Sequence, residues 1–324
     1  MKILKVAGKV LACSIAILLV LLLVLHVGVT IRYYDFFGNA DGAFSIPGLT
    51  TGFVPQGFHY LADRDVYLMS GYMKDHTSAR IYIREADGKT RFVELTYEDG
   101  TAYEAHAGGV TVHGDFVYLP GKMGVDVFCL SDIMEGKTAE MIGKIEGEYD
   151  TDCCTFYNGY LFVGDFYYPE TYETPVDHRV TTPAGDENKA IIAVYKASST
   201  AQFGVEPQPV AAISIREKVQ GIGFTEDGQI VLSISYGLAS SGLWFYEPDE
   251  ARQGSLALMG SEVPLYYLDS ANLKSSVEMP PMSEEVVCLD GKVYVLFESA
   301  CTKYHFGKLI RGTHVYAYEA ENDV

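Results

Sequence analysis

Six side chains able to do chemistry stand at the openings of a recurring pattern: Gln56, His106, Asp152, Gln220 and the adjacent Glu284 and Glu285. Each opening leads through a short strand and a turn into a second apolar strand. The ends of those second strands carry Tyr72, Lys122, Asp165, Tyr236 and Glu298. Brought together, Gln56, His106, Asp152, Gln220, Tyr72 and Tyr236 could bind a ligand through hydrogen bonds and ring faces. Asp152, Asp165 and Glu284 offer the oxygen ligands that a divalent metal such as calcium prefers. His106, Glu284, Glu285, Glu298 and Asp165 could run hydrolysis as acid and base. Side chains alternate in a strand, so only one of Glu284 and Glu285 should face a shared site. The same residues could instead serve the backbone and ordered water.

The elements that must position these residues repeat. Val54-Pro55-Gln56-Gly57, His106-Ala107-Gly108-Gly109, Asp152-Cys153-Cys154, Val219-Gln220-Gly221 and Ser283-Glu284-Glu285 open five similar units. Strands are expected at 57–61, 66–70, 80–85 and 91–97 in the first unit. The second offers 109–112, 116–119, 125–130 and 141–145; the third 155–157, 160–164, 191–196 and 210–215. The fourth offers 221–225, 230–235, 243–247 and 264–268; the fifth 286–289, 293–298 and 314–318. Asp87-Gly88, Asp227-Gly228 and Asp290-Gly291 are hairpin signals. Repeats of four strands are the signature of an all-β, five-bladed β-propeller, with a six-bladed ring or a pair of β-sandwiches as alternatives. The last unit lacks a fourth strand, which Ala43-Phe44-Ser45-Ile46 could supply, joining the two chain ends. Residues 167–189 and 271–282 are expected as long loops, and a rim of Tyr72, Phe166, Tyr167, Tyr168, Tyr172, Tyr236 and Tyr304 could stack on a ligand.

Lys2, Lys5 and Lys9 precede an apolar run over residues 10–31, long enough to cross a hydrocarbon core as a helix. The basic flank belongs on the cytoplasmic side, which leaves the remainder outside the cytoplasm. Ile31-Arg32-Tyr33-Tyr34 is a poor cleavage context, so an uncleaved signal anchor is expected, with a single-pass membrane location. The organisation is therefore 1–32 basic flank and anchor, 33–43 tether, and 44–324 β-propeller domain. The formal net charge is -19; setting aside Lys2, Lys5, Lys9 and Arg32 leaves the rest at -23. So acidic a surface excludes nucleic acid as a natural partner. Cys129, Cys153, Cys154, Cys288 and Cys301 show no zinc spacing, and are expected as free thiols that pack as small hydrophobes. His76, His178, His305 and His314 show no metal spacing either.

The P-Q-G, H-x-G-G and Q-G openings resemble those of secreted or membrane-anchored bacterial β-propeller repeat proteins, over about residues 44–320. That resemblance is one of repeat style. It implies a propeller, found among glycosidases with channel carboxylates and among sugar-binding lectins. Three functions follow as expectations. The first is a membrane-anchored module binding a cell-surface glycan or small molecule at the channel mouth, with a metal ion as a possible cofactor. The second is a hydrolase of glycosidase, lactonase or esterase type. The third is a structural or protein-docking propeller.

Overall fold

The computed structural model describes residues 2–249, 253–304 and 306–320, so His305 lies outside the described residues. The chain opens with α1 (Lys2–Arg32) and a one-turn α2 (Tyr34–Gly38), followed by β1 (Ala40–Ser45). Four strands then form the first meander: β2 (Phe53–Leu61), β3 (Val66–Met73), β4 (Arg80–Glu85) and β5 (Thr90–Thr96). The second holds β6 (Thr111–His113), β7 (Phe116–Gly121), β8 (Gly124–Cys129), the short α3 (Leu130–Glu135) and β9 (Thr138–Glu146). The third has β10 (Cys153–Tyr157), β11 (Tyr160–Gly164), a small hairpin of β12 (Val180–Thr181) and β13 (Glu187–Asn188), then β14 (Ala190–Ala197) and β15 (Val205–Ile215). The fourth has β16 (Val219–Phe224), β17 (Ile230–Ile234) and β18 (Ser241–Tyr246). An inserted hairpin of β19 (Gln253–Leu258) and β20 (Ser261–Tyr267) precedes its last strand, β21 (Leu273–Met279). The last meander is β22 (Ser283–Leu289), β23 (Lys292–Phe297) and β24 (His314–Glu319).

The fold is mostly β and propeller-like. The first strands of the meanders touch in a closed cycle: β2 meets β6, β6 meets β10, β10 meets β16, β16 meets β22, and β22 returns to β2. The apolar residues alternate along the strands, so each sheet feeds the cores on its two faces. In β14, Ile191 and Ala193 pack toward the second meander, while Ile192 and Val194 pack toward the fourth. Cys153 and Cys154 likewise enter different cores, and the cysteines are free. At the Asp290-Gly291 hairpin both residues take positive φ, 51° and 72°, the geometry that matches the twist of the flanking strands.

The ring is joined through β1, which pairs antiparallel with β24 from Ala40↔Tyr318 to Ser45↔His314. The strand expected over 43–46 thus begins earlier. The stretch read as a tether, 33–43, carries α2 and the start of β1. Phe36 of α2 is fully buried against Phe297, Tyr316 and Tyr318, at ring centroid distances of 6.2, 5.8 and 5.7 Å.

The fourth meander corrects the sequence reading. Residues 264–268, expected as its outer strand, fall mainly in β20, which pairs with β19 and runs parallel to β15 of the neighbouring sheet at Ala212↔Leu265. The outer place is taken by β21, within the stretch read as a loop. In β21 only Val277 and Met279 are buried, so an edge strand with a mostly wet face leaves little apolar signal.

Candidate functional site

One cavity of about 1010 Å³ lies at the end of the ring where the first strands begin. Gln56, His106, Asp152, Gln220 and Glu284 line it, together with Tyr72, Lys122, Asp165, Tyr236 and Glu298. Residues far apart in sequence therefore share one wall because equivalent positions of successive meanders meet around one axis. Two glycines let the first strands approach closely enough. A Cβ on Gly109 would lie 2.8 Å from the Cys154 nitrogen, and one on Gly221 would lie 2.6 Å from the Glu285 Cα.

Glu285 is the sequence candidate that does not line the cavity. It is buried below it, where Oε1 accepts the Ile222 N–H at 3.0 Å and the Cys154 N–H also faces the carboxylate. Glu284 points the other way. It is 1% exposed and lines the cavity, and its buried Oε2 has no hydrogen-bond partner. Burial, then the nearby carboxylates of Glu298 and Asp152, push its carboxyl well above the usual range.

Burial, then Asp165, raises Asp152 to about 7. Burial also raises Glu298 to about 7, against the opposing pull of Lys303 and hydrogen bonds from Gln56 and Tyr304. The Gln56 amide donates to Glu298 Oε2 at 2.9 Å and to the Pro55 carbonyl at 2.8 Å. His106 stacks on Tyr72 at 4.8 Å, and burial, reinforced by Lys303, lowers it to about 4, so its imidazole is neutral at pH 7. The Lys303 ammonium donates to the Tyr72 hydroxyl at 2.5 Å and sits 4.8 Å and 5.1 Å from the Tyr72 and Tyr304 ring centroids. The wall therefore already holds one cation against aromatic faces.

Sequence reasoning passed over His178. The loop after β11 folds back so that a short 3-10 turn, Val176–His178, buries this ring. Its Nδ1 lies 2.6 Å from Asp165 Oδ2, and Asp165 Oδ1 accepts the Ile191 N–H at 2.7 Å. The ring stands edge-on to Tyr149 at 4.6 Å. The buried histidine–carboxylate pair beside the cavity is thus His178–Asp165. Only a run of Pro, Thr, Tyr and acids marked that loop in the sequence. Among the described residues no group of three or more His, Cys, Asp or Glu side chains could hold a metal ion, so Asp152, Asp165 and Glu284 do not form one. Asp165 is already committed to His178 and Ile191.

Of the aromatic rim, Tyr72, Phe166, Tyr172, Tyr236 and Tyr304 line the cavity. Tyr168 instead stacks behind Tyr236 at 3.7 Å, and Tyr167 lies under the Arg179 guanidinium at 4.9 Å.

A mostly β, propeller-like architecture with an acidic, aromatic-walled cavity at one end of its ring is the class this geometry defines. No protein-family model matches the chain, and no curated protein matches it. Among solved structures it is similar to an oxidoreductase of Thermus thermophilus described as a glucose dehydrogenase, at 13% identity and TM-score 0.47, covering 86% of this chain and 98% of that one. It is also similar to the glutaminyl cyclase of Myxococcus xanthus, at 11% identity and TM-score 0.45, over 86% and 94% of the two chains. A third is the PQQ-bound aldose sugar dehydrogenase of Streptomyces coelicolor, at 12% identity and TM-score 0.45, over 87% and 81%.

Proposed function

We propose that the chain is a membrane-anchored, extracytoplasmic, five-bladed β-propeller that binds a small glycan or other small polar molecule carrying a protonated amine. The observation that carries this reading is Glu284, a cavity-lining residue whose buried Oε2 has no hydrogen-bond partner. An unpaired buried polar atom is costly, and a ligand ammonium would draw the Glu284 carboxyl into its ionised form, with its proton released to solvent, and satisfy it with a charge-assisted hydrogen bond. Asp152 and Glu298 add negative potential from the same wall, and the tyrosine rings add faces that favour cations. The anchor rests on the 22 residues Leu11–Arg32, with mean hydropathy 2.8 and, Val29 apart, no buried side chain. The five four-stranded meanders and the closed cycle of their first strands support a count of five blades. Calorimetry on the detergent-solubilised full chain, with glucosamine oligomers and spermidine as probes, tests the ligand class. Both amines should bind, and the N-acetylated oligomers should bind at least tenfold more weakly. Equal affinity for the acetylated sugar would remove the amine from the proposal, and no binding by any probe would remove the binding role.

A hydrolase reading is supported by two carboxyls, Asp152 and Glu298, raised to about 7, a value suited to general acid–base work at neutral pH. It predicts turnover within a panel of glycosides, esters and lactones that Glu298→Gln abolishes. A silent panel sinks it.

A further inference from the structure

α1 joins the body at the end of the ring that bears the cavity. Arg32 Nη1 lies 2.5 Å from Glu278 Oε2 near the end of β21, and Arg32 Nη2 and the Tyr33 hydroxyl reach Ser240 Oγ at 3.4 and 3.2 Å. Arg311 Nη1 reaches Thr30 Oγ1 at 3.4 Å. Both partner loops also wall the cavity. Ser235, Tyr236 and Gly237 precede Ser240, and Lys303 and Tyr304 precede Arg311. At Tyr33 the backbone leaves the helical region (φ -114°, ψ 41°), although Tyr33 N still donates to the Val29 carbonyl and Phe37 N to the Tyr33 carbonyl. From this break α2 lies along the body. Asp35 and Asn39 reach a cavity at the opposite end, beside the Asp227 and Gly291 hairpins, and β1 starts there opposite Tyr318. α1 makes its contacts through Thr30 and Arg32 at the cavity end and is exposed along its apolar window, so it leaves the body there.

A second observation concerns the rim itself. Met123, Tyr172, Val176, Leu238 and Leu309 are exposed, Val176 at 80% and Leu238 at 73%. They sit on loops of four successive meanders; Tyr172 lines the cavity, Met123, Val176 and Leu238 adjoin residues that line it, and Leu309 lies on the loop that carries Lys303 and Tyr304. Lys122 and Lys308 adjoin Met123 and Leu309. Tyr172 and Val176 instead adjoin Glu173 and Asp177, so it is the exposed apolar tips, with lysines beside two of them, that suit the interface between lipid headgroups and acyl chains.

We propose that the cavity-bearing face docks on the lipid bilayer, so that the cavity receives its ligand at the membrane surface. This rests on α1 being a retained membrane anchor. The geometry supports it independently of the ligand's identity, because the base of α1 and the apolar rim lie on the same face.

The chain has a single tryptophan, Trp244, which makes depth-dependent quenching a direct test. In a Trp244→Phe background of the full chain, Leu238→Trp, Val176→Trp and Leu309→Trp report the rim. Phe92→Trp reports the flank and Asp227→Trp the far end. In phosphatidylcholine nanodiscs, brominated acyl chains should quench the rim tryptophans at least twofold more than the flank and far-end ones. Thermal melts check that each variant is folded. Equal quenching at both ends, with the protein still co-eluting with the nanodisc, overturns the docking and leaves the anchor standing. Loss of co-elution, with an N-terminus found shortened by mass, overturns the anchor and the docking with it.

Discussion

Glu284 and Glu285 are sequence neighbours on opposite faces of β22, both 1% exposed, and they live in two different regions of the ring. Glu285 is sealed into the tightly packed axis, between Gly109 and Gly221, and holds backbone N–H groups of two other first strands. Each carboxylate has one buried oxygen, Oε2, without a hydrogen-bond partner, but only Glu284 lines the cavity, where a ligand could meet it. The contrast separates a carboxylate that organises the ring from one that awaits a partner. Both are buried carboxyls pushed well upward, so burial and electrostatics alone do not distinguish them; the wall each belongs to does.

The sharpest way to break the axis is Gly221→Ala. The new Cβ would lie 2.6 Å from Glu285 Cα and 2.9 Å from the Glu284 carbonyl, both backbone atoms that cannot swing aside. A loss of about 3 kcal/mol in denaturant unfolding is expected, the upper range for overpacking. A variant as stable as the parent would mean that the first strands have slack.

The cavity wall should make stability depend on pH. Asp152 and Glu298 titrate near 7 when folded but near about 4 when unfolded. Between those values the folded state holds the extra protons, so stability falls as pH rises, by up to about 1.4 kcal/mol per unit for each group. His106 and His59, both lowered to about 4 by burial, act oppositely and cost stability as pH falls below about 6.5. The two pairs nearly offset each other between about pH 4 and 6, so the melting temperature should be nearly flat there and decline between about pH 6 and 8. Asp152→Asn should flatten the decline; an unchanged profile would refute the assignment.

Tyr149→Phe should have a smaller effect. Its hydroxyl is buried without a hydrogen-bond partner, so removing it should leave stability equal or raise it by less than about 1 kcal/mol. A loss above that would reveal a bound water or ligand partner. Smallest of all is Glu278→Gln. The Arg32–Glu278 pair is more than half exposed at both side chains, and its loss should leave the melting temperature unchanged within error.

Much of the ring was legible in sequence because its inner strands are buried on both faces and so are written as short continuous apolar runs. Tyr160–Gly164 and Arg80–Glu85 stand where the pattern puts them. The convergence of Gln56, His106, Asp152, Gln220 and Glu284 was legible for the same reason, since a repeat places equivalent positions on one axis. Two things were not. β21 presents Lys274, Ser275, Ser276 and Glu278 to water and so lacks an apolar period, whereas β20 has one and drew the assignment. His178 reaches Asp165 only because a long loop folds back on itself, and no local spacing encodes that return.

The most direct test of the account is the affinity of the solubilised full chain for glucosamine oligomers, compared between the parent and Glu284→Gln. The account predicts at least a tenfold loss, about 1.4 kcal/mol, with the melting temperature kept or raised, because the substitution removes a buried ionisable group. An unchanged affinity would contradict it, and Glu284 would then be one more carboxyl that the ring merely tolerates.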